Sequence, residues 1–295
     1  MSESTTPLVS VVIPCFDQAH FLSLAIESVL AQSYPTIEVT VVDDGSADNS
    51  YEVAGRYPGV LRLRQPHRGV AAARNRGLTK STGELVIFLD ADDRLLPGAV
   101  ETGVEALIKR PNIAFVAGMS RDIGGDGTVL REGGQRLVSQ DHYLHLLEDC
   151  FIWSGSSIVY RRDALEAVGG FDESLAAGDD YDLYLRLAYA YPVFCHDSVV
   201  TEYRRHGSNT TRDPGVVLSS QLQVLNAQRS RLRDRRERDA RRLGVRKTRS
   251  EHGGALAERV VTDWRRRQWR RALNGIATLA RRDPRGLVRL PVRTA

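Results

Sequence analysis

The sequence predicts an α/β protein built on a doubly wound, mostly parallel sheet, followed by a C-terminal helical extension. Three observations support this fold class. The predicted strands are continuous runs of branched apolar residues, as in VSVVI at 9–13 and LVIFL at 85–89, and such runs are typical of parallel strands buried on both faces. Segments of helical periodicity alternate with these strands as far as residue 109, as in chains of βαβ units. After residue 215 strand patterns nearly disappear.

The first part of the chain shows the alternation most clearly. In Phe21–Ala31 the apolar residues fall on one helical face. In Gly69–Leu78 three consecutive alanines are small enough for close packing on a sheet. Pro97 stands where the first turn of a helix favours proline. The predicted strands are 9–13, 37–42, 60–63 and 85–89, and the predicted helices are 21–31, 48–56, 69–78 and 98–109.

Beyond the apolar run at 113–118 the rhythm changes. Gly124–Gly127 predicts a hairpin turn, and the mixed polar and aromatic segment 151–160 predicts a strand. Leu218, Leu222, Leu225 and Leu232 fall at helical spacing. The remaining predicted elements are helices at 163–168 and 180–190, strands within 193–203, and a further helix through Val260, Trp264, Leu273 and Ile276.

Charge is distributed very unevenly along the chain. Residues 216–295 hold 22 of the 41 Lys and Arg residues and 7 of the 37 Asp and Glu residues, a net charge of +15. Residues 1–215 carry the remaining −11, which gives the overall +4. We therefore place a boundary near Asp213–Gly215, with an α/β domain over 1–212 and a basic helical extension over 213–295.

Composition bounds the compartment and the size of the fold. A length of 295 residues suits one large domain, or one domain with an appendage. Cys15, Cys150 and Cys195 form neither a CxxC metal site nor an even disulfide framework, which favours a reducing compartment. The polar start lacks the features of a signal peptide, and no window reaches the roughly 18 apolar residues of a membrane helix. The expected location is cytoplasmic.

Acidic residues stand where the predicted strands end. Asp44 follows the strand 37–42, Asp90 and Asp92 follow the strand 85–89, and Asp180 opens a helix far downstream. Ligands of open parallel sheets bind at the carboxyl ends of the strands. Two carboxylates in a DxD doublet offer the hard oxygen ligands that suit a divalent cation carrying a diphosphate. This arrangement predicts a metal-dependent enzyme that acts on a nucleotide diphosphate.

Several segments together resemble the family-2 glycosyltransferases, which are inverting enzymes of the GT-A fold. The resemblance covers about two-thirds of the chain, in the family's order and spacing, and stops before the tail. It implies transfer of a sugar, most simply from a UDP-linked donor, to an acceptor hydroxyl in the assembly of a cell-surface polysaccharide or glycolipid. The matching segments are 9–50, HRGVAAARNRGL at 67–78, GELVIFLDADD at 83–93, GGFDES at 169–174, GDDYDLYLRLA at 178–188 and YRRHGSNT at 203–210.

The resemblance implies roles for six residues at the donor nucleotide. Asp44 corresponds to the carboxylate that accepts a hydrogen bond from the base, and Phe16 to the aromatic residue that stacks on it. Pro14 is expected to end its strand, so that backbone groups face the nucleotide. Arg68 or Arg74 is expected to contact the donor, because a helix N-terminus between them favours phosphate. The first Asp of the DxD motif, Asp90, is implied to contact the ribose or to support the metal.

The resemblance also implies the metal site and the catalytic base. Asp92, with Asp90 and a C-terminal His206, is implied to hold Mn²⁺ or Mg²⁺, and the ion neutralises the leaving diphosphate. Asp180 corresponds to the catalytic base, and Asp179 replaces the Glu that usually precedes it. On the acceptor side the resemblance places Trp153, Ser154 and Gly155.

Each of these residues also has a purely structural interpretation. Asp44 and Asp180 suit turns and helix N-caps, Phe16 and Trp153 suit a core, and Arg74 suits a solvated surface. Two other functions stay open as well. A nucleotidyltransferase would want a Gly-rich loop after the first strand, and residues 14–17 contain no glycine. A non-catalytic scaffold protein would not need both Asp92 and Asp180.

The basic extension has three interpretations. The first is a solvated helical face. The second is a surface that binds an anionic membrane, since such membranes attract basic segments at about 1 kcal/mol per residue. The third is a nucleic-acid site. We expect no nucleic acid, because Trp264 and Trp269 are the only aromatic residues among the arginines. The leucine stripe at 218–232 is expected to pack on the catalytic domain or to pair two subunits. We favour packing together with a basic surface toward the inner face of a membrane.

Overall fold

The computed structural model describes residues 6–207 and 213–289. Within them, nine strands form one sheet in the order β3-β2-β1-β4-β8-β6-β9-β5, and β7 pairs with β6 outside this path. The predicted α/β fold with a mostly parallel sheet is confirmed. The strands are β1 (Val9–Cys15), β2 (Ile37–Asp43), β3 (Val60–Arg64), β4 (Leu85–Phe88), β5 (Arg94–Leu95), β6 (Phe115–Gly124), β7 (Val129–Arg131), β8 (Ile158–Arg161) and β9 (Phe194–Arg205).

Helices follow most of the strands, as the alternation of the sequence predicts. Short 3₁₀ segments occur at Gly155–Ser157, Gln228–Arg231 and Pro284–Arg289, and a π-helical segment spans Arg249–Gly253. The α-helices are α1 (Ala19–Leu30), α2 (Ser50–Ala54), α3 (Val70–Lys80), α4 (Ala99–Ile108), α5 (His142–Glu148), α6 (Arg162–Ala167), α7 (Asp179–Ala190), α8 (Pro214–Ala227), α9 (Arg235–Thr248), α10 (Gly254–Arg265) and α11 (Trp269–Arg282).

The parallel half of the sheet determines where the polar strand ends gather. Strands β3, β2, β1 and β4 are parallel neighbours, with Cys15 opposite Asp43 and Val12 opposite Phe88. The carboxyl ends of β1, β2 and β4 therefore lie at one edge of the sheet. Phe16, Asp44 and Asp90 follow these ends, and this is the edge at which parallel sheets bind ligands.

Both faces of the sheet are covered. Val11 and Ile13 of β1 belong to an apolar cluster that includes Leu22 of α1 and Val104 of α4. Val12 points to the other face, where α3 approaches so closely that a Cβ at Gly77 would lie 2.1 Å from a Val12 methyl carbon. The alternation of strand side chains thus divides the apolar residues of β1 between two helical layers.

Pro14 corrects one expectation, because β1 does not end there. The strand continues to Cys15, and Pro14 is buried opposite Val42 of β2. The ladder between β1 and β4 runs only from Val9 to Val12. Proline has no N–H to donate to a ladder, so β1 accommodates it just beyond the part that is bonded on both sides.

The second half of the sheet is mixed, and sequence patterns describe it less well. The predicted strand at 151–160 is wrong over most of its length, because β8 begins only at Ile158. The Ser154 side chain accepts a hydrogen bond from the N–H of Ser156 and caps the 3₁₀ turn that precedes β8. The prediction also lacks the two-residue strand β5 and the short helix α5, and the strands predicted within 193–203 form the single strand β9.

The chain forms two compact units. The first consists of the described residues of Met1–His142, Phe151–Ser174 and Leu183–His206, and it contains the whole sheet. The second takes in Tyr143–Cys150, Leu175–Asp182 and the described residues from Gly207 onward. It therefore includes two segments that precede residue 213.

The leucine stripe of α8 is buried inside the second unit. Leu218 and Leu222 pack with Leu256, Val260 and Leu279 of α10 and α11 in one apolar cluster. This packing accounts for the spacing of Leu218 and Leu222. Leu225 is buried on the same helix, whereas Leu232 follows α8 and is only partly buried. Within the described residues, no helix combines the length and the apolar character that a membrane span needs.

The contact of α3 with β1 leads to a test of packing. The substitution Gly77→Val is expected to lower the free energy of unfolding by about 1–3 kcal/mol, because the added atoms overpack a filled interface against Val12. Thr79→Val on the same helix is the control, because Thr79 is exposed and such changes usually stay within about 0.5 kcal/mol. Urea unfolding measures both, and equal stability of the two variants would contradict the packing.

Candidate active site

Two aromatic rings lie together at the end of β1. Phe16 is 42% exposed, and its ring stacks on that of His67, with 4.1 Å between centroids and 28° between planes. The next residue, Asp17, has φ 52, a left-handed conformation that Asp tolerates better than most residues. Its Oδ1 accepts a hydrogen bond from the N–H of Ala47 at 2.7 Å. This contact fixes the turn that carries Phe16.

The side chain of Asp44 organises the loop after β3. It is almost fully buried, and its Oδ1 accepts from the Gln65 Nε2 at 2.7 Å and from the N–H of Arg68 at 3.0 Å. Its Oδ2 accepts from the N–H of Gly69 at 2.8 Å and lies 2.9 Å from His67 Nδ1. A carboxylate offers about four acceptor positions, so the protein itself occupies those of Asp44. The same contacts hold His67 beneath Phe16.

The two arginines expected at the donor differ in their surroundings. The Arg68 side chain is exposed, and its guanidinium bonds the Glu173 carboxylate at 2.8 Å. Arg74 is buried, and its guanidinium bonds Asp90 Oδ1 at 2.7 Å. Its neighbour Asn75 donates to the carbonyl oxygen of Phe171 and accepts from the N–H of the same residue. Of the two arginines, Arg74 is therefore the one that the structure joins to the DxD motif.

Asp92 of the DxD motif pairs with His206. The His206 Nε2 lies 2.7 Å from Asp92 Oδ2, and both side chains are largely buried. The ring of Phe21 packs against the His206 ring, with 5.1 Å between centroids. Burial raises the pKa of the Asp92 carboxyl, and the negative charge of Asp90 raises it further. The structure thus brings together Asp92 and His206, two of the three residues that the resemblance assigns to the metal.

The third acid of the run, Asp93, is completely buried. Its Oδ1 accepts from the N–H of Arg204 at 3.0 Å, and its Oδ2 accepts from the Ser156 hydroxyl at 2.7 Å. The Ser156 Oγ in turn accepts from the N–H of Asp90 at 3.1 Å. Burial, together with the charges of Asp92 and Asp90, raises the pKa of Asp93 well above its usual range. Asp93 therefore fastens the turn that presents Asp90 and Asp92.

The donor set at this turn fits a divalent cation that keeps other ligands. Within residues 6–207 and 213–289, no three His, Cys, Asp or Glu side chains are arranged to hold one metal ion. Asp92 and His206 supply a pair, one carboxylate and one imidazole. Mg²⁺ is usually bound through one or two carboxylates plus substrate phosphates and water, and imidazole is acceptable to Mn²⁺. A cation would also relieve the repulsion that raises the pKa of Asp92.

The residues expected on the acceptor side lie just before β8. Trp153 is 39% exposed, and the Arg131 guanidinium lies 4.0 Å above its ring. Gly155 begins the 3₁₀ turn, and a Cβ there would approach the Tyr184 hydroxyl to 3.2 Å. An indole that is partly exposed and faces a cation is available for stacking on a sugar ring.

Asp179 and Asp180 belong to the second unit, where they begin α7. Asp179 is buried and Asp180 is half-buried. The following Tyr181 is buried, and its hydroxyl donates to the carbonyl oxygen of Leu146 in α5 at 2.5 Å. Gly178, with φ +76, precedes the helix, and a Cβ at this position would lie 3.4 Å from the Ser220 side chain of α8. The position of Asp180 in this unit is therefore set by both α5 and α8.

Sequence patterns did not indicate three residues of the site. His67 is the stacking partner of Phe16, and Ser156 links Asp90 to Asp93. Arg204 binds the turn after β4 twice. Its backbone N–H donates to Asp93, and its Nε donates to the carbonyl oxygen of Asp92 at 2.8 Å. His67 and Arg204 lie inside two of the segments that resemble the glycosyltransferase family, 67–78 and 203–210, so their position in those segments could have indicated a role in the site. Ser156 offers no such signal, because a serine before a strand is commonplace.

The parallel sheet, with its acidic turn and aromatic pair at one edge, defines an α/β fold of the GT-A type. Residues 10–169 match the sequence profile described as Glycosyl transferase family 2. The chain belongs to this family.

The chain is also similar to individual known proteins. Chondroitin synthase of Escherichia coli is 29% identical over 233 residues, which are 77% of this chain and 33% of that protein. This chain thus spans about one third of the length of that relative. The S. aureus TarS 1–349 crystal structure in complex with UDP-GlcNAc has a TM-score of 0.66 and 16% identity, covering 83% of this chain and 73% of that one.

A second solved structure has a different donor. The mannosyltransferase PcManGT from Pyrobaculum calidifontis, in complex with GDP-Man and Mn²⁺, has a TM-score of 0.62 and 19% identity, covering 94% of this chain and 87% of that one. At such identities the likeness to TarS and PcManGT establishes the fold alone.

Proposed function

We propose that this glycosyltransferase moves a sugar from a UDP-linked donor to an acceptor hydroxyl, with inversion at the anomeric carbon. The observation that carries the proposal is the acidic turn after β4, where Asp92 meets His206 and Asp90 meets Arg74. A diphosphate needs both a cation site and a positively charged side chain, and this turn has candidates for each.

The aromatic pair supports the assignment of the nucleotide base to the end of β1. Phe16 presents a partly exposed face, and His67 supports it from the other side. Asp44 is the proposed acceptor for the N–H of the base, and binding would require this carboxylate to exchange one of its present hydrogen-bond partners for the base. The TarS complex with UDP-GlcNAc and the name of the chondroitin synthase relative are in keeping with a UDP-linked donor.

The chain's own residues would hold the diphosphate by charge. Asp92 and His206, supported by Asp90, are the proposed ligands of Mn²⁺ or Mg²⁺, and such an ion, when bound, neutralises charge that develops on the leaving diphosphate. Arg74 is buried and already aligned by Asp90, so its guanidinium is prepared to bond a phosphate oxygen. Arg68 is the second candidate, because its exposed side chain is held by Glu173 alone among the side-chain contacts described.

Asp180 is the proposed catalytic base. It would accept the proton of the acceptor hydroxyl while that oxygen attacks the anomeric carbon and the bond from carbon to the diphosphate oxygen breaks. The attack comes from the face opposite the diphosphate, so the configuration inverts. Fixation of Tyr181 and Gly178 within the second unit holds this carboxylate in place, and a positioned base contributes about 10²–10⁴ to the rate.

The acceptor is proposed to be a sugar of a growing polysaccharide or glycolipid. Trp153, partly exposed and stacked with Arg131, is the residue we assign to it, with Gly155 leaving room beside Tyr184. Asp179, which is buried at the start of α7, is proposed to shape the acceptor side rather than to contact the donor.

A donor screen tests the function. Purified protein with Mn²⁺ is incubated with UDP-glucose, UDP-galactose, UDP-N-acetylglucosamine, UDP-glucuronate and GDP-mannose, and release of the nucleoside diphosphate is measured. We expect slow release of UDP from one of the UDP sugars and none of GDP. Preferred hydrolysis of GDP-mannose would replace the proposed donor, and no release from any donor, with or without added glycans, would contradict an active transferase.

The metal assignment predicts the effect of removing one ligand. Asp92→Asn should reduce turnover by at least about 100-fold, because an ion that loses a ligand no longer stabilises leaving-group charge worth several kcal/mol. Mn²⁺ binding, followed by calorimetry with UDP present, should weaken in both Asp92→Asn and His206→Gln. Asp126→Asn is the control, because Asp126 is an exposed turn carboxylate bonded to Thr128. Full activity of the wild type in excess EDTA would exclude the metal.

The base assignment predicts a separation of binding from chemistry. Asp180→Asn keeps the shape of the side chain but cannot take up a proton, so transfer should slow by about 10²–10⁴. Affinity for UDP should stay the same, because the residue is assigned to the acceptor. Turnover and UDP affinity are measured on the same preparation. A variant that transfers sugar at the wild-type rate would remove Asp180 from the mechanism.

A further inference from the structure

Among the described residues of the second unit, the turn between α10 and α11 contains the longest uninterrupted run of exposed residues. All eight residues from Trp264 to Arg271, WRRRQWRR, are exposed to solvent. Two of them are tryptophans and five are arginines. Exposed tryptophans are uncommon on protein surfaces that have no partner. The proposed sugar transfer uses none of these residues.

The apolar part of this segment forms one patch. The rings of Trp264 and Trp269 meet edge to face, with 4.9 Å between centroids, although Trp264 lies in the last turn of α10 and Trp269 begins α11. Leu273 lies one helical turn beyond Trp269 on the same side of α11. The exposed fractions of the three side chains are 51% for Trp264, 46% for Trp269 and 57% for Leu273. We refer to these three side chains as the tryptophan patch.

The arginines of the turn are not neutralised by the protein. Among the described residues, no carboxylate lies within ion-pair distance of Arg265, Arg266, Arg267, Arg270 or Arg271. The nearest acid in sequence, Asp263, is buried and lies near Arg259 instead. Five positive charges therefore accompany the tryptophan patch in the same turn without an ion-pair partner among the described residues, and the Arg271 guanidinium donates to the Gln268 amide oxygen at 3.4 Å.

One of these arginines, Arg267, occupies a strained backbone position in the turn. Arg267 has φ 58, and its N–H donates to the carbonyl oxygen of Trp264 while that of Gln268 donates to the carbonyl oxygen of Asp263. These two bonds are those of a Schellman motif, in which the left-handed position is usually glycine. Any other residue at that position destabilises the turn. Here a cation occupies the tip of the turn at the expense of local stability.

We propose that this segment docks the protein on an anionic lipid bilayer. The indoles and Leu273 enter the boundary between headgroups and acyl chains, where tryptophan is enriched, and the five arginines bind the lipid phosphates around them. A nucleic acid suits this segment less well. The two indoles already contact each other edge to face, and Leu273 offers neither a hydrogen bond nor a charge to a base or a phosphate.

Tryptophan fluorescence gives a direct measurement in the full-length protein. The chain has three tryptophans, so a Trp153→Phe background leaves only Trp264 and Trp269 as reporters. Vesicles of equal parts phosphatidylcholine and phosphatidylglycerol should shift the emission to the blue and should sediment with the protein. Pure phosphatidylcholine should do neither, and added salt should reverse the binding, because screening is effective beyond about 10 Å at 0.1 M.

Two variants separate the proposal from general attraction to the basic surface. Arg267→Gly should weaken vesicle binding about fivefold, which corresponds to one basic residue near the surface, while the midpoint of urea unfolding is kept or raised. Arg56→Gln removes the same charge from an exposed position of the first unit and should leave vesicle binding unchanged. Replacing Trp264 and Trp269 together with alanine should weaken binding by at least about tenfold.

Three results would overturn the proposal. Equal losses in Arg267→Gly and Arg56→Gln would mean that overall charge alone governs the interaction. A blue shift with single-stranded DNA but not with the anionic vesicles would make the segment a nucleic-acid site. Unchanged emission in the presence of vesicles that bind the protein would show that the tryptophan patch stays in water. Sugar transfer is not part of this measurement, so its outcome is independent of the donor screen.

Discussion

The hydrogen bonds of the buried Asp93 carboxylate hold together the edge of the sheet at which Asp90 and Asp92 lie. The carboxylate joins three segments that are far apart in the chain: the turn after β4, the 3₁₀ turn before β8 through Ser156, and β9 through the N–H of Arg204. The Arg204 side chain, itself fully buried, returns to the same turn through the carbonyl oxygen of Asp92. A buried carboxylate costs free energy unless hydrogen bonds satisfy it, so the loss of either partner would destabilise this turn.

Once Asp93 is fixed, the other two acids of the turn are free to differ in their partners. Asp90 pairs with the guanidinium of Arg74, whereas Asp92 pairs with the imidazole of His206. Three carboxylates within four residues repel one another, and this is one cause of the raised pKa values of Asp92 and Asp93. A positive charge beside Asp92 would stabilise the ionised cluster. A cation carrying a diphosphate would supply that charge at the place where the leaving group needs it.

A feature of the site could be predicted from the sequence where the contacts that determine it join residues close together in the chain. The acids after β2 and β4 could be found because a strand and the turn that ends it are consecutive residues. Which of Asp90, Asp92 and Asp93 is buried could not be found, since that is decided by Ser156 and Arg204, residues more than 60 positions away. The same reason explains His67, which reaches Phe16 only because Asp44 binds the loop that carries it. The strand predicted at 151–160 failed because the cap on Ser154 and the short 3₁₀ turn outweigh aromatic content.

The uneven charge of the chain has a physical consequence for where such an enzyme can work. Residues 1–215 carry a net charge of −11, and a body of that charge is repelled by an anionic surface over roughly the Debye length, about 8 Å at physiological salt. An acceptor held at such a surface would therefore be hard to reach without an opposing charge. Residues 216–295 carry +15, a charge of opposite sign and larger magnitude. Five arginines of the turn between α10 and α11, which have no ion-pair partner among the described residues, place part of it beside the exposed Trp264 and Trp269. Charge alone would give a weak and indiscriminate attraction. The exposed indoles, and the left-handed Arg267 where glycine would be more stable, give that attraction a particular place on the protein.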